Sequence, residues 1–224
     1  MIRHRAAHVE VLPENGLTLV VEPWGPADVA ALHLWIPVGS AFEPPGLEGA
    51  AHLLEHLVFR GAGDRPGPQL TADVEALGGD LNAWTSVEQT TFHVTVPVAA
   101  AVEGVRAIAD LAFRPWLRGR DLRAERPVVL EEIRGAEDDP ADVLAEAMRA
   151  RAWGPHPYGR PVLGTPRSVR GIRLRDLQAF HARWYRPERA VLAVAGPVDL
   201  DALRAAAAGL RAARPPAGDG AAPP

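Results

Sequence analysis

Two stretches near the start of the chain alternate apolar and polar residues with the period of a β-strand, and this limits the fold more than any other feature. In GLTLVVEP, Leu17, Leu19 and Val21 share one face; in VAALHLWIPVG, Ala31, His33 and Trp35 oppose Leu32, Leu34 and Ile36. A period of two puts one face of a sheet against a core and turns the other away from it. The closeness of the two segments predicts a hairpin-like opening. After the breaker AFEPPG the period changes. A helical run covers about residues 47–59, and QLTADVEALGG predicts a short helix closed by Gly78 and Gly79. Two further strand candidates follow, DLNAWTS and TTFHVTVP, and then helical patterns over about 98–113, 121–136 and 141–152. WGPHPYGRPVLGTP, dense in Pro and Gly, predicts a loop. Beyond it RDLQAFHARWY is helical, RAVLAVAG strand-like and DLDALRAAAAGL helical. Strands and helices in this irregular order predict an α+β fold, a mainly antiparallel sheet covered by helices on one face. Residues 1–211 are expected to form one domain, and the Pro-, Gly- and Ala-rich residues 212–224 a tail or linker.

Composition narrows the chemistry. All 24 residues counted as Lys or Arg are arginine, which removes Schiff-base lysines and the lysine of a phosphate-binding loop. The chain has no cysteine, so thiolate nucleophiles, zinc ribbons and disulfides are excluded, and any metal must be held by histidine and carboxylate. A formal charge of −4, with arginines scattered among acids, argues against a nucleic-acid partner. The start lacks an apolar export region and no stretch approaches a membrane span, so a cytoplasmic location with no membrane partner is expected.

The densest cluster of reactive groups is AHLLEHLVFRG, residues 51–61. On a helix His52 and His56 stand one turn apart on the same face, so two imidazoles can reach one metal ion. Glu55 lies beside them, close enough to move a proton without being a ligand. This is the H-x-x-E-H arrangement. A further ligand has to be a carboxylate, and LRAERPVVLEEIRGAED offers three. Glu125 and Glu132 are seven residues apart and project within about 20° of each other on a straight helix, whereas Glu131 points about 100° from Glu132. Pro127, between the two, makes their shared face depend on how far the helix bends. Val128, Val129 and Ile133 suggest that the helix packs inward near these acids.

These segments resemble the N-terminal, metal-bearing half of the pitrilysin family of inverzincin metallopeptidases, in the branch of mitochondrial processing peptidase and its bacterial relatives. PPGLEGAAHLLEHLVFRG, EALGGDLNAWTSVEQTTFHVTV, ERPVVLEEI, HPYGRPVLGT and FHARWYRPERAVLAVAG fall in the family's order, over roughly residues 15–210. The family pairs H-x-x-E-H with a ligand glutamate about 75 residues on, and 75 residues lie between His56 and Glu132 here.

The resemblance implies a zinc-dependent endopeptidase acting on short or unfolded peptides, with one Zn2+ per chain. It makes His52, His56 and Glu132 the zinc ligands, Glu55 the general base and Glu125 a supporting acid just outside the metal. It also implies that Asn82, Ala83 and Trp84, in GGDLNAWTS, form a strand edge that pairs with an extended peptide substrate. Glu88 is expected to hydrogen-bond a ligand histidine. His33, His93, His156 and His181 are assigned to ordinary packing or surface positions. Family enzymes carry a second, homologous half that closes over the first, so a homo- or hetero-oligomer with such a half is implied. One alternative is a non-catalytic partner or scaffold subunit, which has no physical need of His52, Glu55 and His56 together. Another is an S-ribosylhomocysteine lyase, which shares H-x-x-E-H but uses a cysteine ligand that this chain lacks.

Overall fold

The two alternating segments lie in one sheet, but not side by side. In the computed structural model, which describes residues 7–23 and 25–212, the strands are β1 (His8–Val11), β2 (Thr18–Glu22), β3 (Val29–Ile36), the two-residue pair β4 (Gly61–Ala62) and β5 (Arg65–Pro66), β6 (Asp80–Thr85), β7 (Thr90–Pro97) and β8 (Val191–Ala195). The helices are α1 (Ala50–Val58), α2 (Gly67–Ala76), α3 (Ala101–Phe113), α4 (Gly119–Asp138), α5 (Pro140–Trp153), α6 (Pro166–Gly171), α7 (Leu174–Trp184) and α8 (Leu200–Ala208). Six strands form the main sheet in the order β1-β2-β8-β3-β7-β6.

The expected hairpin between β2 and β3 does not form. β8 lies between them, parallel to β2 and antiparallel to β3. Its sequence, VLAVA, carries no charge and suits a position flanked on both sides, so the chain's last strand fills the middle of the sheet. β2 pairs instead with β1, a strand that the alternation did not reveal because His8, Val9 and Val11 are exposed. All main-sheet pairings but β2 with β8 are antiparallel, and β6 and β7 form a hairpin.

Alternation decides which face the core takes. Ala30, Leu32, Leu34 and Ile36 of β3 are buried with Leu19, Val21, Phe92, Val94, Leu192 and Val194. α3 packs on this side through Val105, Ile108, Leu111 and Ala112. On the opposite face Val29, Trp35 and Trp84 are exposed, and the two indoles meet edge to face at 6.5 Å. α5 begins and ends close to the periodicity's limits, then gives way at Pro157–Gly159 to a single 3-10 turn within the Pro/Gly-rich segment. Among the described residues no helix is long and apolar enough to cross a membrane. Residues 213–224 of the expected tail lie outside the described residues.

Candidate metal centre

α1 is apolar on nearly every side: Ala50, Ala51, Leu53, Leu54, Leu57 and Val58 are all buried. The polar exceptions His52, Glu55 and His56 occupy one stripe, as 3.6 residues per turn requires. Against that stripe lies α4, which buries Leu122, Glu125, Val129 and Ile133 at helical spacing. Val128, expected to point inward, is exposed. α4 runs unbroken through Pro127, so the face shared by Glu125 and Glu132 survives.

The Glu132 carboxylate meets both imidazoles: its Oε2 is 3.5 Å from His52 Nε2 and 3.3 Å from His56 Nε2. One donor atom from each of the three residues lies within 4.8 Å of the others, so the group could hold a metal ion. In a tetrahedral zinc site with bonds of about 2.0–2.1 Å, two ligand atoms stand about 3.3–3.4 Å apart. The two separations to Glu132 match that edge, and two nitrogens with one carboxylate make up a donor set that zinc accepts. Burial, reinforced by neighbouring His56, lowers the His52 pKa to about 4, so its ring is neutral near pH 7 and has a lone pair to give.

Glu125 takes the other nitrogen of His56, with Oε2 3.2 Å from Nδ1, and its Oε1 accepts from Arg60. Glu125 is 5% exposed, so the Arg60 guanidinium gives its carboxyl group a partner where little water reaches it. Arg60 escaped the sequence reading, although positions 52, 56 and 60 repeat at one helical turn and could have flagged it. Glu55 accepts from Thr85 Oγ1 of β6 at 2.5 Å. Burial raises the Glu55 pKa against the lowering pull of that bond. Thr85 also went unnoticed, its strand alternation alone marking it as facing the helices. Glu55, His56 and Glu125 open on a cleft of about 580 Å³ whose far side includes Asn82, Thr71 and Glu75.

β6 is an edge strand of the sheet, with one side unpaired among the described residues. Asn82 is exposed and its Oδ1 accepts from the Ala83 N–H, Ala83 is buried, and Trp84 remains 39% exposed. Glu88 is placed differently from expectation. It lies in the β6–β7 turn, where its carboxylate accepts from the Tyr158 hydroxyl, so it braces the turn against the 157–159 segment and not a ligand histidine. His33 and His93 stack across β3 and β7 at 5.3 Å, His156 caps the 3-10 turn, and His181 is buried.

Residues 19–166 match the family described as Insulinase (Peptidase family M16), and residues 171–215 match the Peptidase M16 inactive domain. The chain belongs to peptidase family M16. An uncharacterized zinc protease of Mycobacterium bovis is 40% identical to this M16 chain over 189 residues, 84% of the chain and 43% of that protein. A probable mitochondrial-processing peptidase subunit beta of Arabidopsis thaliana is 35% identical over 190 residues, 85% of the chain and 36% of that protein. Among solved structures, a protease from Helicobacter pylori superposes with a TM-score of 0.86 at 27% identity, over 95% of the M16 chain and 52% of that chain. Pitrilysin, at a TM-score of 0.81 and 24% identity, shares the fold. The M16 chain spans less than half the length of the curated relatives it matches. Both the family resemblance and the α+β fold with its mostly antiparallel sheet are borne out.

Proposed function

We propose that this chain is the zinc-bearing domain of an endopeptidase that hydrolyses short or unfolded peptides. The observation that carries the reading is the meeting of His52, His56 and Glu132, with Glu132 at tetrahedral edge length from each imidazole and the carboxyl of Glu55 on the same helical stripe. Zinc held by these three side chains would supply a Lewis acid that makes a water molecule nucleophilic near neutral pH. Glu55 would serve as the general base and acid, accepting a proton from the attacking water and returning it to the leaving amine. Its burial supports this double duty, since a raised pKa brings the carboxyl closer to neutrality, where it can both accept and return a proton. Thr85 holds one Glu55 oxygen in place, and Glu125 fixes the His56 ring through Nδ1. The free edge of β6 at Asn82, Ala83 and Trp84 would bind the extended substrate through its backbone, which gives affinity with little demand on sequence.

The chain is further proposed to work with a second half, either another subunit or a second copy. The chain matches only 43% of one curated relative and 36% of another, and the sheet face away from the helices leaves Trp35 and Trp84 open. Metal analysis, peptide hydrolysis and co-purification from native cells test the reading. Wild-type protein is expected to bind about one zinc, His52→Ala none, and Glu55→Gln the full amount with no cleavage. Loss of zinc in a folded Glu55→Gln protein, or wild-type turnover by it, would sink the assignment. A strictly monomeric chain with full turnover would overturn the second half.

A further inference from the structure

The two histidines of α1 are oriented by different means. The His56 ring is held at Nδ1 by Glu125, whereas the buried Nδ1 of His52 has no hydrogen-bond partner among the described residues. His52 must therefore be aimed by its backbone, and the backbone next to it is gripped by a side chain outside the metal motif. We propose that Glu43 is a positioning residue for His52: its carboxyl group fixes the first turn of the helix that carries both histidines. This inference rests on the zinc site proposed above.

α1 begins after Gly49, which has left-handed backbone angles (φ 90°) and offers no side chain to cap the helix. The N–H groups of a first turn have no partner within the helix. Glu43 supplies one from outside, accepting from Gly49 N at 2.9 Å through Oε2 and from Ala51 N at 2.7 Å through Oε1. The two bonds, made by one rigid planar group, restrain both the position of the turn along its axis and its rotation. Ala51 adjoins His52, so little of that restraint is lost before the ligand. Glu43 is only 3% exposed, so water does not compete for these donors.

Glu43 is itself anchored on the far side. Arg160 donates to its backbone carbonyl at 3.1 Å, and Ser168 Oγ donates to the Glu48 carbonyl at 2.7 Å. A Cβ on Gly49 would fall 2.5 Å from the Leu163 carbonyl oxygen, so segment 160–168 lies close against the start of α1. Metal-ligand distances tolerate about 0.2 Å, a margin that a loosened first turn exceeds.

The test is zinc affinity, measured by chelator competition on the folded chain for wild type, Glu43→Ala, Glu43→Gln and Leu203→Ala. Leu203 is buried in α8, and its truncation serves as a destabilising change away from α1. Glu43→Ala is expected to weaken zinc binding about 10- to 100-fold, the usual effect of removing a group that orients a ligand. Glu43→Gln keeps the shape and one acceptor oxygen and should fall between Glu43→Ala and wild type, while Leu203→Ala should bind as wild type does. If Glu43→Ala fails to fold, Glu43→Gln against Leu203→Ala decides the matter. Wild-type affinity in the folded Glu43 variants overturns the inference alone, as does an equal loss in Leu203→Ala. A wild-type chain that binds no zinc overturns the proposed site and this inference with it.

Discussion

Acid should weaken the metal-free chain through His181, by an amount the structure sets. The ring projects from α7 and is buried, its Nε2 lies 2.8 Å from the Ala112 carbonyl oxygen of α3, and it stacks on Tyr185 at 4.9 Å. Burial lowers its pKa from 6.5 to about 4, against the raising effect of the Ala112 carbonyl. An unfolded chain therefore binds a proton that the folded chain refuses between those values. Stability from this group is complete above pH 6.5 and is lost as pH falls toward 4. Integrating that difference down to pH 5 gives a loss of about 2 kcal/mol. Urea unfolding at pH 8 and pH 5, with chelator present, measures it in wild type and in His181→Gln, which keeps a donor for the carbonyl. His52, whose pKa is also lowered to about 4, titrates in both proteins and cancels from the comparison. Wild type should lose about 2 kcal/mol more than the variant on acidification. Parallel losses would refute the claim that folding holds His181 neutral.

The acids of α4 should separate cleanly in zinc affinity: Glu132→Gln the most damaging, Glu125→Gln weaker than wild type by about 10- to 100-fold, and Glu131→Gln unchanged. Glu131 is exposed and pairs with Arg134, so damage from its substitution would mean that the register of the helix is misassigned. Glu88→Gln should leave zinc affinity as it is, because its partner is Tyr158; a fall would return Glu88 to the metal's surroundings. Gly67→Ala places a Cβ 1.6 Å from the Phe59 carbonyl oxygen and should cost more than about 2 kcal/mol, read from the shift of the urea midpoint.

Periodicity is local, so whatever depends on a residue and its neighbours along the chain could be read directly. The alternating faces of β2 and β3, the stripe of His52, Glu55 and His56, and the shared face of Glu125 and Glu132 that leaves Glu131 out are of this kind, whereas the choice of Glu132 as ligand came from the family resemblance. A period of two states which face of a strand is buried but not which strand lies beside it, so the insertion of β8 between β2 and β3 was invisible until the whole domain closed. The same limit hid side-chain pairs separated along the sequence. Arg60 meets Glu125 across 65 positions, Tyr158 draws Glu88 away from the histidines across 70, and Glu43 reaches the first turn of α1 only because an irregular loop folds back on it. Spacing placed two imidazoles and a carboxylate on suitable faces, but it took the packing of α4 on α1 to bring their donor atoms within a metal's reach.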